Sequence, residues 1–244
     1  MPIFIKWNII SDNTMHIDLL KYTSDRIHEE NDRYKEAGPV ITISREYGCP
    51  SKIIAGRLSE ELTRKTFVKG KEIKWKYVTK EIMAESARAL EVDPEKIKYV
   101  FQYEQKSMVD DIISAQFNKY YKSERKIRNT VAKVIRNMAY EGHVIIVGRG
   151  GVAITHDILR SLHIMLEAPM EWRSLRVAEN YKISQEEARK TAREVDKKRK
   201  EFREYFQGKE SDYTRFDLTF NCMTFTIEEI VHIILKAAEI KKLV

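Results

Sequence analysis

Ten consecutive residues, Ser44-Arg45-Glu46-Tyr47-Gly48-Cys49-Pro50-Ser51-Lys52-Ile53, carry the chemistry most open to interpretation in this chain. They follow the β-branched run Val40-Ile41-Thr42-Ile43 and precede a helical pattern that places Ile53, Ile54, Leu58 and Leu62 on one side. A loop between a strand and the start of a helix offers unpaired backbone N–H groups and the positive end of the helix dipole, which together attract phosphate. Lys52 adds a point charge. The spacing departs from the G-x-x-x-x-G-K-[ST] loop: the first glycine is missing, Pro50-Ser51 precedes the lysine, and Ile53 follows it where a hydroxyl would stand. An ordinary strand-to-helix turn with Ser51 as N-cap is the competing reading. The pair Arg45-Glu46 falls at the C-terminal end of the presumed strand, where ligands bind in open α/β sheets. Glu46 there could order the loop or a metal-bound water, or could pair with Arg45.

The rest of the chain must position that loop. After Gly142, His143–Val147 reads as a short strand ending at Gly148-Arg149-Gly150-Gly151, and Leu162–Leu166 as another ending before Ala168-Pro169. Phe216–Phe220 supplies a last strand. Ser184 with Glu187 opens a highly charged helix, and Thr226 with Glu229 opens an apolar one. Strands alternating with helices predict a parallel sheet covered on both faces. The stretch from Tyr77 to Tyr140 is nearly all helical in period, with Pro94 opening one helix. On the charged helix, Arg193, Asp196 and Arg199 are spaced three apart, which fits either ion pairing on a solvated face or convergence on a ligand.

Taken in order, these segments resemble the cytidylate-kinase-like family. Ile41–Gly48, continuing to Ala55, is similar to its I-S-R-E-[YF]-G-S-G-G-R-x-I-A opening. Gly148-Arg149-Gly150 resembles its G-R segment after a buried strand, and Ala168-Pro169 with Arg173, Arg176 and Val177 its A-P-x-x-x-R-x-x-R-V. Asp196–Arg199 is similar to the D-x-x-R of its lid, and Phe216-Asp217-Leu218, Asn221 and Thr226–Glu229 to its closing strand and helix. The resemblance runs from about Val40 to Leu243.

It implies a P-loop NTPase-like α/β fold: an extension over 1–38, then a domain over 39–244 with a helical acceptor-binding insertion over about 76–141 and a lid over about 183–212. It implies transfer of the γ-phosphate of ATP to CMP or a related acceptor with Mg²⁺. Gly48 and Lys52 would hold the donor phosphates, Arg149 the acceptor phosphate through its bidentate fork. Arg193 and Arg199 would swing in with the lid, with Asp196 orienting them. Two departures matter. Pro50-Ser51 stands where the family has Gly-Gly, removing a backbone donor, and Gly150 stands where true cytidylate kinases carry an Asp that helps bind the nucleoside. With Ile53 offering no hydroxyl, Mg²⁺ would rely on water, nucleotide phosphates and a carboxylate that the sequence does not identify.

The remaining composition narrows the field. With 244 residues, 43% of them hydrophobic and 33% charged, the chain can bury a core, and one principal domain is expected. A net charge of +7 suits polyanionic partners. Two cysteines without CxxC spacing, and no apolar run long enough to cross a bilayer, point to a reducing, cytoplasmic setting without a membrane partner. Trp75, Tyr77, Phe101, Tyr103, Phe117, Tyr120 and Tyr121 among lysines raise nucleic-acid stacking. Aromatics at helical spacing more often pack a core, so nucleic acid is the weaker expectation. His143 and His163 read as packed side chains. A nucleotide sensor that has lost turnover is the alternative reading that Pro50 and Gly150 support.

Overall fold

A computed structural model describes residues 37–66, 73–79, 81–91, 124–208 and 213–244. The N-terminal extension through residue 36 lies outside the described residues. So does residue 92–123 of the expected helical insertion, including Pro94 and the aromatics from Phe101 to Tyr121.

The elements run β1 (Val40–Arg45), α1 (Ser51–Lys65), β2 (Lys76–Val78), α2 (Glu81–Ala89), α3 (Glu124–Glu141), β3 (Val144–Val147), α4 (Gly151–Thr155), β4 (Ser161–Glu167), α5 (Met170–Tyr181), α6 (Gln185–Gln207), β5 (Leu218–Asn221) and α7 (Ile227–Ile240). The five strands form one parallel sheet in the order β2-β3-β1-β4-β5. The predicted parallel α/β sheet is therefore present, with β1 at its centre.

Period-2 alternation assigns each strand residue to one of two cores. Ile41, Ile43, Ile145, Val147, Leu162, Ile164 and Leu166 pack on one face with Ile54, Leu58 and Leu62 of α1 and Ile230 and Ile234 of α7. Val40, Val144 and Ile146 pack on the other with Ile82 of α2, Ile127, Val131 and Ile135 of α3, and Phe202 of α6. Each fully buried Ile or Leu is worth about 1.5–3 kcal/mol relative to exposure, so both faces hold the sheet firmly. Among the described residues no helix is long and apolar enough to cross a membrane.

Four expectations need correction. The region predicted as helical from Tyr77 begins with a strand, because Lys76–Val78 pairs with Val144–Ile146 at the sheet edge. Three residues are too few for strand periodicity to register in sequence; tertiary pairing decides them. The last strand starts at Leu218, since Asp217 sits outside it: its carboxylate accepts from His163 N–H at 2.6 Å and from Lys241 Nζ at 2.8 Å. In α1 the buried face is Ile54, Ala55, Leu58 and Leu62, whereas Ile53 is half exposed. Trp75 and His163 are buried as expected, but Tyr77 is 43% exposed.

Polar groups interrupt the second face at one point. Thr42 Oγ1 lies 2.8 Å from His163 Nδ1, and Ser161 Oγ lies 3.1 Å from its Nε2, between β1 and β4. Burial pushes the His163 pKa down to about 4, with Lys241 and His156 adding to the effect and Asp217 opposing it. The imidazole is thus neutral in the fold and charged in the unfolded chain between about pH 4 and its ordinary 6.5. The unfolded state binds the extra proton, so this contribution is complete above 6.5 and is lost as pH falls toward 4. We predict that the stability advantage of the wild type over a His163→Gln variant shrinks by about 3 kcal/mol between pH 7 and pH 4. Urea unfolding at several pH values measures it; a pH-independent difference would contradict it.

Candidate functional site

Parallel strands deliver their C-terminal ends to one edge, and the loops after β1 and β3 meet there because the two strands are neighbours. The β1 loop is built around Arg173, on the first turn of α5, whose guanidinium is almost fully buried. Its Nε donates to the Ala168 carbonyl at 2.8 Å and lies 3.1 Å from the Glu46 carboxylate. Its Nη1 donates to the Tyr47 carbonyl at 3.0 Å and to Asp196 Oδ2 at 2.7 Å. Asp196, reaching over from α6, takes the Tyr47 N–H on its other oxygen at 2.7 Å. Glu46 in turn accepts from the Ala168 N–H at 3.0 Å. Burial raises the Glu46 pKa, against the lowering effects of the Ala168 N–H and Arg173. The ion-pair partner that the geometry gives Glu46 is Arg173, which the sequence reading does not name for it.

Gly48 continues the loop at φ +96°, and a Cβ there would meet the Arg173 carbonyl oxygen at 2.9 Å, so both the backbone angle and the space require glycine. Pro50 is the N-cap of α1, with no side-chain cap bond, and Ser51 is its first helical residue rather than its cap. The first bond of α1 runs from Ile54 N–H to the Pro50 carbonyl. Three helical N–H groups precede it, those of Ser51, Lys52 and Ile53. Ser51's is taken by the Cys49 carbonyl at 2.9 Å, and Pro50 has none to give. The helical N–H groups left at this helix start are therefore those of Lys52 and Ile53.

Opposite the loop, Gly148, Arg149 and Gly150 all take positive φ, +74°, +57° and +70°. Three successive left-handed residues turn the chain sharply from β3 into α4 and set Arg149 at the cleft. A non-glycine residue in this region costs of order 1–3 kcal/mol, a strain that clusters at binding and catalytic positions. Gly148 leaves room for Arg45, whose Nη1 would lie 1.6 Å from a Cβ at that position.

The cleft so formed has a volume of about 420 Å³. It is lined by the loop from Arg45 through Ile53, Arg149, Arg199, and also Thr79, Val147, Arg176, Val177, Asn180 and Tyr181. Arg199 donates to the Arg45 carbonyl at 3.1 Å and lies over the Tyr47 ring, 5.5 Å from its centroid, while Tyr181 stacks on the ring's neighbourhood at 6.4 Å. Arg45, Arg149 and Arg199 also line a narrower recess with buried Ser44 and with Arg203. Arg45, Lys52, Arg149, Arg176 and Arg199 therefore all line one cleft, with the Asp196 carboxylate 3.7 Å from Arg199.

Three of the sequence-derived residues stand apart from the cleft lining, Ser44 among them because it lines only the narrower recess. Arg193 is exposed and lines an outer groove along the first half of α6 with Arg189 and Lys190. Asp196 holds the loop from behind, as described. Among the described residues no three acidic, His or Cys side chains gather where a metal ion could sit. Arg173, Arg176, Asn180 and Tyr181 were not singled out as site residues by sequence reasoning. The spacing of Arg173 and Arg176 after Ala168-Pro169 was the available signal, because it puts both in the first two turns of α5, beneath the loop.

Residues 40–224 match the cytidylate kinase-like family. No curated protein gave a match. Among solved structures, an uncharacterized protein from Eubacterium ventriosum shares 20% identity at a TM-score of 0.57, covering 82% of this chain and 98% of its own. A shikimate kinase from Acinetobacter baumannii, in complex with shikimate, shares 15% identity at a TM-score of 0.45, covering 86% of this chain and 97% of its own. The fold is the P-loop NTPase-like parallel sheet with flanking helices.

Two stability measurements check this geometry. Arg173→Met should cost about 3–5 kcal/mol in denaturant unfolding, because it strands Glu46 and Asp196 without their buried cation; a loss below about 1 kcal/mol would show that the network is dispensable. Arg149→Gly should be more stable than Arg149→Ala by about 1 kcal/mol, since both lose the guanidinium and only alanine keeps the left-handed penalty. Equal midpoints would show that the turn carries no strain.

Proposed function

We propose that this chain, which belongs to the cytidylate kinase-like family, transfers the γ-phosphoryl group of ATP to a nucleoside monophosphate, CMP or a related acceptor. The observation that carries the reading is the convergence of Lys52, Arg45, Arg149 and Arg199 on one cleft at the start of α1. Phosphoryl transfer asks little covalent chemistry of a protein. It asks for alignment of donor and acceptor and for neutralisation of the charge spread over the transferring group.

In this reading the Lys52 and Ile53 N–H groups and the Lys52 ammonium hold the donor phosphates. Arg149, fixed by its left-handed turn, grips the acceptor phosphate. Arg199, already tied to the Arg45 carbonyl, stands beside the bond that breaks. Asp196 acts on the loop through Tyr47 N–H rather than on the ligand, so it is a positioning residue. Arg193 would reach the cleft only if α6 moved. Mg²⁺, when bound, would supply positive charge that offsets that of the phosphates. Glu46 is the loop's one carboxylate, and it is engaged by Arg173 and Ala168, so most of the metal's ligands would come from phosphates and water.

A second reading, a nucleotide-binding sensor without turnover, is favoured by one observation: Pro50 lacks a donor and Ser51 spends its own on Cys49. Gly150 adds to it on the acceptor side. Phe202 and Phe206 stand 3.3–3.4 Å from where its Cβ would be, so an aspartate at this position would meet aromatic carbon.

Coupled ADP release with ATP, Mg²⁺ and a panel of nucleoside monophosphates separates the two. The kinase reading expects acceptor-dependent turnover that falls about 100-fold or more in Arg149→Ala, the scale for removing a group that stabilises developing charge. Nucleotide binding with no turnover on any acceptor would decide for the sensor.

A further inference from the structure

Part of the cleft wall is aromatic, and phosphate chemistry does not account for it. Tyr47, in the β1 loop, and Tyr181, the last residue of α5, both line the cleft. Their rings are nearly parallel, 20° apart, with centroids separated by 6.4 Å. Carbon atoms in contact lie about 3.5–4.0 Å apart, so a flat ring held between two others asks for about 7 Å. The observed separation is within about 1 Å of that. Two rings packed directly on each other also span such distances, and the surroundings decide between the two arrangements.

A pair closed on itself would hide both rings, yet Tyr181 is 59% exposed. The two walls are also held differently. Tyr47 is fixed at its backbone, its N–H by Asp196 at 2.7 Å and its carbonyl by Arg173 at 3.0 Å, and the Arg199 guanidinium lies 5.5 Å from its ring centroid. Tyr181 stands where α5 ends, just before Lys182 at φ +55°. Its exposed ring has room to move by the fraction of an ångström that an inserted ring needs.

Two polar groups of α5 point to what the rings hold. Arg176 and Asn180 are four residues apart, on one face of the helix, and both line the cleft. The Arg176 guanidinium lies over the Trp172 ring, 4.7 Å from its centroid, while its Nε is buried without a hydrogen-bond partner. A buried donor left unpaired is costly, and an acceptor on a bound ligand satisfies it. Asn180 offers an N–H donor and a carbonyl acceptor side by side.

We propose that Tyr47 and Tyr181 form the nucleobase slot of this cleft, with an adenine ring between them and its edge read by Asn180. Stacking alone tolerates any base, because every base has a π-face. The amide supplies the choice: a paired donor and acceptor match the amino group and ring nitrogen of adenine, whereas guanine presents two acceptors at the same edge. Arg176 Nε donates to an acceptor on the same nucleotide. The cleft volume of about 420 Å³ is within the range of small-molecule sites. The assignment rests on reading the cleft as a nucleotide site, and it separates contacts to the base from contacts to the phosphates.

The test is calorimetric binding of ATP, GTP, adenosine and inorganic tripolyphosphate to the full chain. Wild type should bind ATP more tightly than either GTP or tripolyphosphate. Tyr181→Ala should weaken ATP about 5- to 150-fold, the range for a base that loses an aromatic ring, and leave tripolyphosphate unchanged. Tyr181→Phe keeps the ring and should bind ATP as wild type does. Asn180→Ala should shrink the preference for ATP over GTP. The adenine H2 and H8 resonances should move to lower frequency on binding, and by less in Tyr181→Ala. Asn180 and Tyr181 are both exposed, so neither substitution should shift the unfolding midpoint. ATP affinity indifferent to Tyr181→Ala, or a loss shared equally by tripolyphosphate, would overturn the slot. So would wild type that binds neither ATP nor adenosine. Adenosine bound without tripolyphosphate would sink the phosphate reading and leave the slot standing; tripolyphosphate bound as tightly as ATP would do the reverse.

Discussion

A single buried guanidinium organises the site. Arg173 is the point where the β1 loop, the end of β4 and the middle of α6 are joined, through two backbone carbonyls and two carboxylates. A cation this buried is tolerable only when its donors are paired and its charge is offset. Glu46 and Asp196 do so together, and each also accepts a backbone N–H, from Ala168 and Tyr47. The loop's path is thereby set by ionic contacts below it, independent of any ligand above it. Such preorganisation is what a phosphate site needs, because donors that are already aimed cost no reorganisation when charge develops.

The same arrangement explains how the loop survives its unusual composition. A glycine-rich phosphate loop derives its shape from backbone freedom. Here Pro50 restricts that freedom and closes a tight turn between Cys49 and Ser51, and Arg173 supplies from outside the shape that glycines would otherwise allow. The trade is fewer backbone donors left at the helix start, those of Lys52 and Ile53. Positive charge from Arg45, Lys52, Arg149, Arg176 and Arg199 stands in their place. Charge attracts phosphate without fixing the direction of its oxygens as N–H groups do, and this is the physical ground on which kinase and sensor readings divide.

Across the cleft, the left-handed run at Gly148–Gly150 plays the corresponding part. Gly148 admits the Arg45 guanidinium and Gly150 lies against Phe202 and Phe206, so α6 is packed onto this turn as well as onto the β1 loop. One helix thus touches both sides of the cleft: Asp196 reaches the β1 loop, Arg199 the cleft itself and Phe202 the turn after β3. A shift of α6 along its length would alter all three at once.

What the sequence determined by itself was the sheet, the loop and the order of the segments. Strands such as Val40–Ile43 and Val144–Val147 are apolar on both faces because both faces are covered, and continuous β-branched runs are legible without partners. The Thr226–Glu229 capping box was legible for the same reason, being a local hydrogen-bond exchange, and it is present in full. Tertiary structure alone decided β2, which exists through its pairing with β3. It alone turned Glu46 toward Arg173, set Asp196 on the Tyr47 N–H and left Arg193 outside the cleft. Each of these joins residues far apart in the chain, and a contact that depends on where two elements cross leaves no periodicity in either one.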